Sequence, residues 1–222
     1  MTSPPPATPT GGPPERLPVD VRRLDPEDLP TAARMFAAAF AGDPMSVLML
    51  PDAAQRRRLL ERGGRRQIER AMPHRHVFGA YDGATLRGIA VWLPPGVAVR
   101  SAEAIPPAAV LRVLRVALRS PRRTVRYLRA RAAAMKAAHA AGAWHLAFLA
   151  TDPRAQGRGV ARQLLERVLH RADEDAVGVW RETYDPANPP IYERFGFRTT
   201  TDVVGSGGLP RLWIMERPAA DR

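Results

Sequence analysis

Thr151-Asp152-Pro153-Arg154-Ala155-Gln156-Gly157-Arg158-Gly159-Val160-Ala161 is the stretch on which the reading of this chain turns. Before it, Trp144 to Thr151 is an apolar run that reads as a strand. After it, Val160, Leu164, Leu165, Val168 and Leu169 recur at helical spacing to about Asp173. The stretch is therefore a strand-to-helix turn. Gly157 and Gly159 let successive backbone N–H groups face one point, and the helix that follows adds its positive N-terminal end. This is a cradle for phosphate, which Arg158 and Arg162 are expected to supplement with side-chain charge. It is not the dinucleotide fingerprint, whose third glycine would fall on Arg162, and not a P-loop, because the only lysine, Lys136, lies elsewhere.

Toward the N-terminus, Val19 to Leu24 reads as a short strand. A helix start follows, with Asp25 as N-cap, Pro26 at the first helical position and Glu27 and Asp28 in the first turn. That helix is expected to reach about Ala41, carrying Met35, Phe36 and Phe40, and to break at Gly42-Asp43-Pro44. A second opens near Asp52, is bent by Gly63-Gly64 and ends near Met72. His76 to Tyr81, the turn Asp82-Gly83, and Thr85 to Leu93 form a β-hairpin. Residues 102–141 are helical with a break at Ser120-Pro121. Val110, Val113, Leu114, Ala117 and Leu118 share one face of the first half; Val125, Leu128, Ala132 and Met135 share one face of the second. Arginines at 112, 115, 119, 122, 126 and 129 take the opposite, solvated sides.

Beyond the turn, Val177 to Tyr184 is a further strand, a short helix follows Asn188, and Arg198–Val204 and Arg211–Arg217 close a sheet. The order gives an α/β domain over 19–217: a mixed, twisted sheet of about six to seven strands flanked by helices, with a helical insert at 102–141 before the central strand. Residues 1–18, rich in Pro, Thr and Gly, and residues 218–222 are expected to be tails. On the strand Trp144 to Thr151, alternation puts Trp144, Leu146 and Phe148 on one face and Ala143, His145 and Ala147 on the other.

Composition removes several classes of function. With 222 residues and 45% apolar content the chain can bury a sizeable core. There are 34 basic and 22 acidic residues, a formal charge of +12. Apart from Lys136 the basic residues are all arginine, which with abundant Ala, Pro and Gly is the mark of GC-rich codons, so the charge is weak evidence for a nucleic-acid partner. Between positions 112 and 131 Tyr127 is the only aromatic residue, against the interleaving that base stacking needs. The absence of cysteine excludes disulfides, thiolate zinc sites and a Cys acyl-enzyme, and fits a cytoplasmic location. The longest uncharged stretch, Ala137 to Thr151, is too short and polar for a membrane span. His74 and His76 lack a partner acid at ligand spacing, so no metal site is expected.

Arg154-Ala155-Gln156-Gly157-Arg158-Gly159 resembles the R/Q-x-x-G-x-G/A signature of the GNAT N-acetyltransferase superfamily, and Asn188-Pro189-Pro190-Ile191-Tyr192-Glu193-Arg194-Phe195-Gly196-Phe197 resembles that family's N-x-x-x-Y-x-x-x-G-F block. Ala38 to Pro44, Glu182-Thr183, the Tyr192 block and Pro210-Arg211-Leu212-Trp213 are similar to the branch containing puromycin N-acetyltransferase. The resemblance implies the GNAT fold and acetyl-CoA as co-substrate. Its pyrophosphate would lie on Arg154, Gln156, Gly157, Arg158, Gly159, Val160 and Ala161, and its pantetheine arm on the backbone of Leu149, Ala150 and Thr151, where the strand splays from its neighbour. Asn188 is either the cap of the short helix or a contact to that arm.

Tyr192 is the expected general acid, since a phenol near ~10 can reprotonate a thiolate whose conjugate thiol is near ~8.5. The base is open between Glu182, His145 and a water held by backbone groups. The acceptor is expected to be a small amine, in a pocket shaped by Phe36, Phe40, Trp92 and Trp213, residues that read equally well as core. A protein or peptide acceptor and a non-catalytic acetyl-CoA sensor are the rivals, and the chain is expected to be a monomer or homodimer.

Overall fold

The sheet grows from the hairpin in the N-terminal half. The computed structural model describes residues 15–97, 107–140, 142–205 and 208–219. In it, strands β1 (Asp20–Arg23), β2 (Val77–Asp82), β3 (Thr85–Leu93), β4 (Trp144–Thr151), β5 (Val179–Thr183), β6 (Arg198–Val203) and β7 (Leu212–Arg217) lie in the order β1-β2-β3-β4-β5-β7-β6. Neighbours are antiparallel except β4 and β5. The mixed seven-stranded sheet expected from the sequence is thus what the chain forms. Residues 1–14 of the expected tail, the start of the expected insert up to residue 106, residue 141 and residues 220–222 lie outside the described residues.

One face of the sheet carries α1 (Leu29–Phe40) and α3 (Ala53–Ala71), and the other carries α6 (Val160–Glu174). The helix start expected at Asp25 is a 3-10 turn, Pro26–Asp28, whose first turn Asp25 caps by accepting from the Glu27 N–H at 3.1 Å. The second helix runs unbroken through Gly63-Gly64. A Cβ at Gly64 would collide with the Phe36 ring, so the glycine lets α1 approach. The Asp43-Pro44 break in fact opens α2 (Pro44–Met49), with the Asp43 carboxylate accepting from the Ser46 N–H at 2.9 Å.

Strand β4 does not keep one face throughout. Val91 pairs with Phe148 but Trp92 pairs with Leu146, leaving Ala147 as an extra residue. This bulge shifts the alternation. Trp144 and Leu146 join the α6 side, whereas Phe148 and Ala150 join the α1–α3 side, so the expected grouping of Phe148 with Trp144 and Leu146 is corrected.

The insert forms α4 (Pro107–Arg119) and α5 (Pro121–Ala140), split at Ser120 as expected. Helix α5 packs Tyr127, Ala134 and Ala138 against Trp180, Leu212 and Ile214, making a third core over β5 and β7. On α4, by contrast, Val110, Leu114 and Leu118 are exposed, the last at 77%. The N-terminal tail is shorter than expected. Leu17 is buried in the α6 core, its N–H donates to the Arg158 carbonyl at 3.0 Å, and its carbonyl accepts from Gln163 Nε2 at 2.9 Å.

Candidate functional site

The site is set by how little β4 and β5 share. Only Trp144 with Val179 and His145 with Trp180 are paired, so the edge of β4 facing β5 makes no strand pairing from Leu146 to Thr151. An extended chain bearing amides fits such an open edge. The sheet has the splay that the sequence resemblance implies at Leu149, Ala150 and Thr151.

Two groups of side chains flank the start of the splay, on opposite faces of the sheet. Successive β5 residues point to alternate faces. Trp180 stacks on His145 with ring centroids 3.8 Å apart, and Glu182, on the same face, meets His145 with Oε2 2.8 Å from Nε2. Burial pushes the Glu182 carboxyl up, but the neighbouring imidazole and then Arg181 outweigh it and hold the carboxyl below the usual range. On the other face, the Arg181 guanidinium lies 3.9 Å from the centroid of the Tyr192 ring. Tyr192, on α7 (Pro189–Glu193), is buried and makes an edge contact with Phe197 at 5.6 Å. The sequence reading gave Glu182 and His145 as separate candidates for one role; the fold joins them as a pair.

A cleft of about 1070 Å³ opens on the Tyr192 side between the turn, α6 and α7. Thr151, Gln156, Gly157, Gly159, Val160 and Ala161 line it, with Arg162, Arg167 and Arg194 adding positive charge. Gly157 and Gly159 have φ of 75° and 78°, a region costly for other L-residues. Gly159 stands at the N-cap of α6 with no side chain to cover the free helical N–H groups, which suits an external anion.

Several expected residues are placed differently. Arg158 turns its side chain away, with Nε donating to the Glu15 carbonyl at 3.4 Å, whereas Arg162 lines the cleft with its Nε donating to Glu166 Oε1 at 2.6 Å. Arg154 is exposed and does not line the cleft. Asn188 makes no side-chain cap; its Nδ2 donates to Thr183 Oγ1 at 2.8 Å, tying α7 to the end of β5. Phe36, Phe40, Trp92 and Trp213 are not brought together. Phe36 and Phe40 stack at 4.5 Å in the α1–α3 core, Trp92 is fully buried under α6, and Trp213 is half-buried beneath Arg211 at 5.2 Å.

Sequence reasoning missed the polar wall beside Glu182. Arg131 Nε donates to Tyr184 Oη at 2.8 Å, and Tyr127 Oη donates to the Pro210 carbonyl at 2.8 Å. These bonds fasten α5 across the Glu182 face. Arg131 falls within the arginine-rich run, where nothing in the pattern separates a paired arginine from a solvated one. The acidic run Asp173-Glu174-Asp175 also holds a structural pair. Arg217 donates to both Asp173 oxygens, at 2.6 and 2.8 Å, and to the Phe195 carbonyl at 3.1 Å.

Residues 120–213 match the family model described as Acetyltransferase (GNAT) domain. An uncharacterized N-acetyltransferase of Schizosaccharomyces pombe is 33% identical over 54 residues, which are 24% of this chain and 22% of that protein. The chain thus matches about a fifth of that relative's length. Among solved structures, a Corynebacterium glutamicum protein described as histone acetyltransferase HPA2 and related acetyltransferase covers 92% of this chain and 98% of its own, at 21% identity and a TM-score of 0.58. Arylalkylamine N-acetyltransferase 2 of Aedes aegypti covers 91% and 99%, at 12% identity and a TM-score of 0.58. At those identities the structures show a shared fold. The chain has the GNAT fold, and residues 120–213 carry its likeness to the GNAT acetyltransferase domain.

Proposed function

We propose that the protein transfers an acetyl group from acetyl-CoA to a primary amine of a small molecule, by direct attack with both reactants bound, in the manner of the puromycin N-acetyltransferase branch. The observation that carries this reading is the pair of polar poles, His145–Glu182 and Tyr192, on opposite faces of the sheet where β4 and β5 part. Gln156, Gly157, Gly159, Val160 and Ala161, with Arg162 beside them, hold the pyrophosphate, and the open edge at Leu149, Ala150 and Thr151 aligns the pantetheine amides. Acetyl-CoA supplies the acetyl group as a thioester. Glu182 and His145 take up the proton that the acceptor ammonium must lose before its nitrogen bonds to the acetyl carbon. Tyr192 donates its phenolic proton to the sulfur as the C–S bond breaks, the nitrogen releases its second proton to solvent as the amide forms, and the phenolate regains a proton from solvent. The remaining acceleration comes from fixing both partners in one geometry.

A small acceptor suits the insert. Helix α5 is fastened over the Glu182 face through Tyr127 and Arg131, where a peptide groove would need an open surface. The reading places the protein in a reducing cytoplasm, as a monomer or homodimer. Among the described residues no helix is long and apolar enough to cross a membrane.

The test is an amine panel scored by acetyl-CoA consumption, repeated with Tyr192→Phe. Turnover with small primary amines is expected, and the variant should lose about 10²–10⁴-fold in the acetyl-transfer step with acetyl-CoA affinity little changed. Saturable acetylation of a peptide and none of any small amine would overturn the acceptor class.

A further inference from the structure

Arg181 is a charged residue where the alternation of β5 calls for an apolar one. It points into the α6-side core, is only 6% exposed, and makes a hydrogen bond from Nη2 to the Glu182 carbonyl at 3.0 Å. Its Nε is buried and has no hydrogen-bond partner among the described residues. Among the described residues it makes no ion pair: Glu182, whose charge acts on it through space, points to the other side of β5 and is engaged with His145. Burying an unpaired cation is unfavourable, so a negative charge forming beside it is correspondingly favoured. Burial pulls the guanidinium down to about 10, which leaves it protonated at neutral pH. What it touches is the face of the Tyr192 ring, at 3.9 Å.

We infer that Arg181 is a positioning residue for proton transfer: its buried guanidinium, laid on the Tyr192 ring, orients that phenol and stabilises the phenolate left when the proton goes to sulfur. The inference rests on Tyr192 being the acid. The proton passes from the phenolic oxygen to the thiolate, the O–H bond breaks, an S–H bond forms, and the negative charge moves onto a phenol whose ring already faces a fixed cation. The other charged groups around α7 are engaged or face solvent. Arg217 is bound to Asp173 and the Phe195 carbonyl, and Glu193 and Arg194 are exposed on α7 itself. On α6, His170 is exposed, with Glu174 3.3 Å away.

The experiment is an alkaline titration of tyrosinate absorbance on the full chain, with circular dichroism at each pH to confirm folding, for the parent and for Arg181→Met, Arg181→Lys and Tyr192→Phe. The absorbance step that vanishes in Tyr192→Phe is that of Tyr192; burial holds the phenols of Tyr81 and Tyr127 up at about 12 and raises that of Tyr184. In Arg181→Met that step should rise by about 1–3 pH units, the usual effect of removing an opposite charge at this distance, while Arg181→Lys, which keeps the charge, should restore part of the difference. A structural role alone predicts an unchanged step, and that result overturns the inference while leaving Tyr192 as a candidate acid. The alkaline limb of the acetyl-transfer rate should move in parallel with the absorbance step. An absorbance shift with no kinetic shift overturns both the role of Arg181 in proton transfer and the assignment of Tyr192 as acid. Should Arg181→Met fail to fold, the comparison of Arg181→Lys with the parent reads the same two quantities.

Discussion

Helices α6 and α4 carry equally clear amphipathic patterns and meet opposite fates. In α6, Leu164 and Leu165 are completely buried, and Val160, Val168 and Ala172 nearly so, against Trp92, Trp144 and Leu146. In α4, Val110, Leu111 and Leu114 are about half exposed and Leu118 is 77% exposed. Periodicity records that a helix has two faces; it does not record what the apolar face meets. Helix α6 follows a tight turn from β4 and has little choice but to lie back on the sheet. Helix α4 precedes Pro121 in an insert whose second helix already occupies the β5–β7 surface.

The contrast breaks most readily in the buried helix. Leu165→Ala should cost about 2–5 kcal/mol, measured by urea unfolding, and a loss under about 1 kcal/mol would mean that α6 is not the keystone its burial implies. At the N-cap of the same helix, Gly159→Asp combines a left-handed backbone position, which costs an L-residue about 1–2 kcal/mol, with negative charge beside the cradle. Calorimetry should show acetyl-CoA affinity falling at least ~10-fold, since about 1.4 kcal/mol corresponds to a factor of ten; unchanged affinity would remove the turn from the binding site.

At the other end of α6, Arg217→Ala removes the two-pronged bond to Asp173 and should destabilise by about 1–2 kcal/mol near neutral pH, the pair being partly open to solvent. The Arg217 guanidinium beside Asp173 holds its carboxyl below the ordinary range. The folded carboxyl therefore binds its proton less readily than the unfolded one. The contribution is complete above the usual carboxylate range and disappears as pH falls through the lowered folded value. Parent and variant stabilities should converge in acid, and a gap that persists there would assign it to packing. The smallest effect belongs to α4. Leu118→Gln should change stability by less than about 0.5 kcal/mol, and a loss as large as that of Leu165→Ala would show that the exposed face is covered in solution.

The turn and its two glycines were legible because a tight strand-to-helix turn with left-handed backbone positions demands glycine, here Gly157 and Gly159. The strand before the turn and the helix after it were legible because the apolar run from Trp144 and the helical recurrence from Val160 flank it. The bulge at Ala147 was not, since an extra residue in a strand leaves no mark in composition, and it is the bulge that sends Phe148 to the opposite side from Leu146. The union of His145 with Glu182 was equally hidden, because it joins two strands 37 residues apart in sequence. Arg181 was passed over as one arginine among many. Its significance lies in the apolar company it keeps, which is a property of the packing.

The segment from Glu15 to Val19 has a consequence for how the molecule assembles. Its bonds to Gln163 join positions 144 and 146 residues apart. Closing so long a loop costs chain entropy that only these few contacts and the burial of Leu17 repay, so this docking comes late in folding. During synthesis the segment meets these hydrogen-bond partners only once residues 158 to 163 have been made. The outer wall of the turn is therefore among the last surfaces of the protein to take shape.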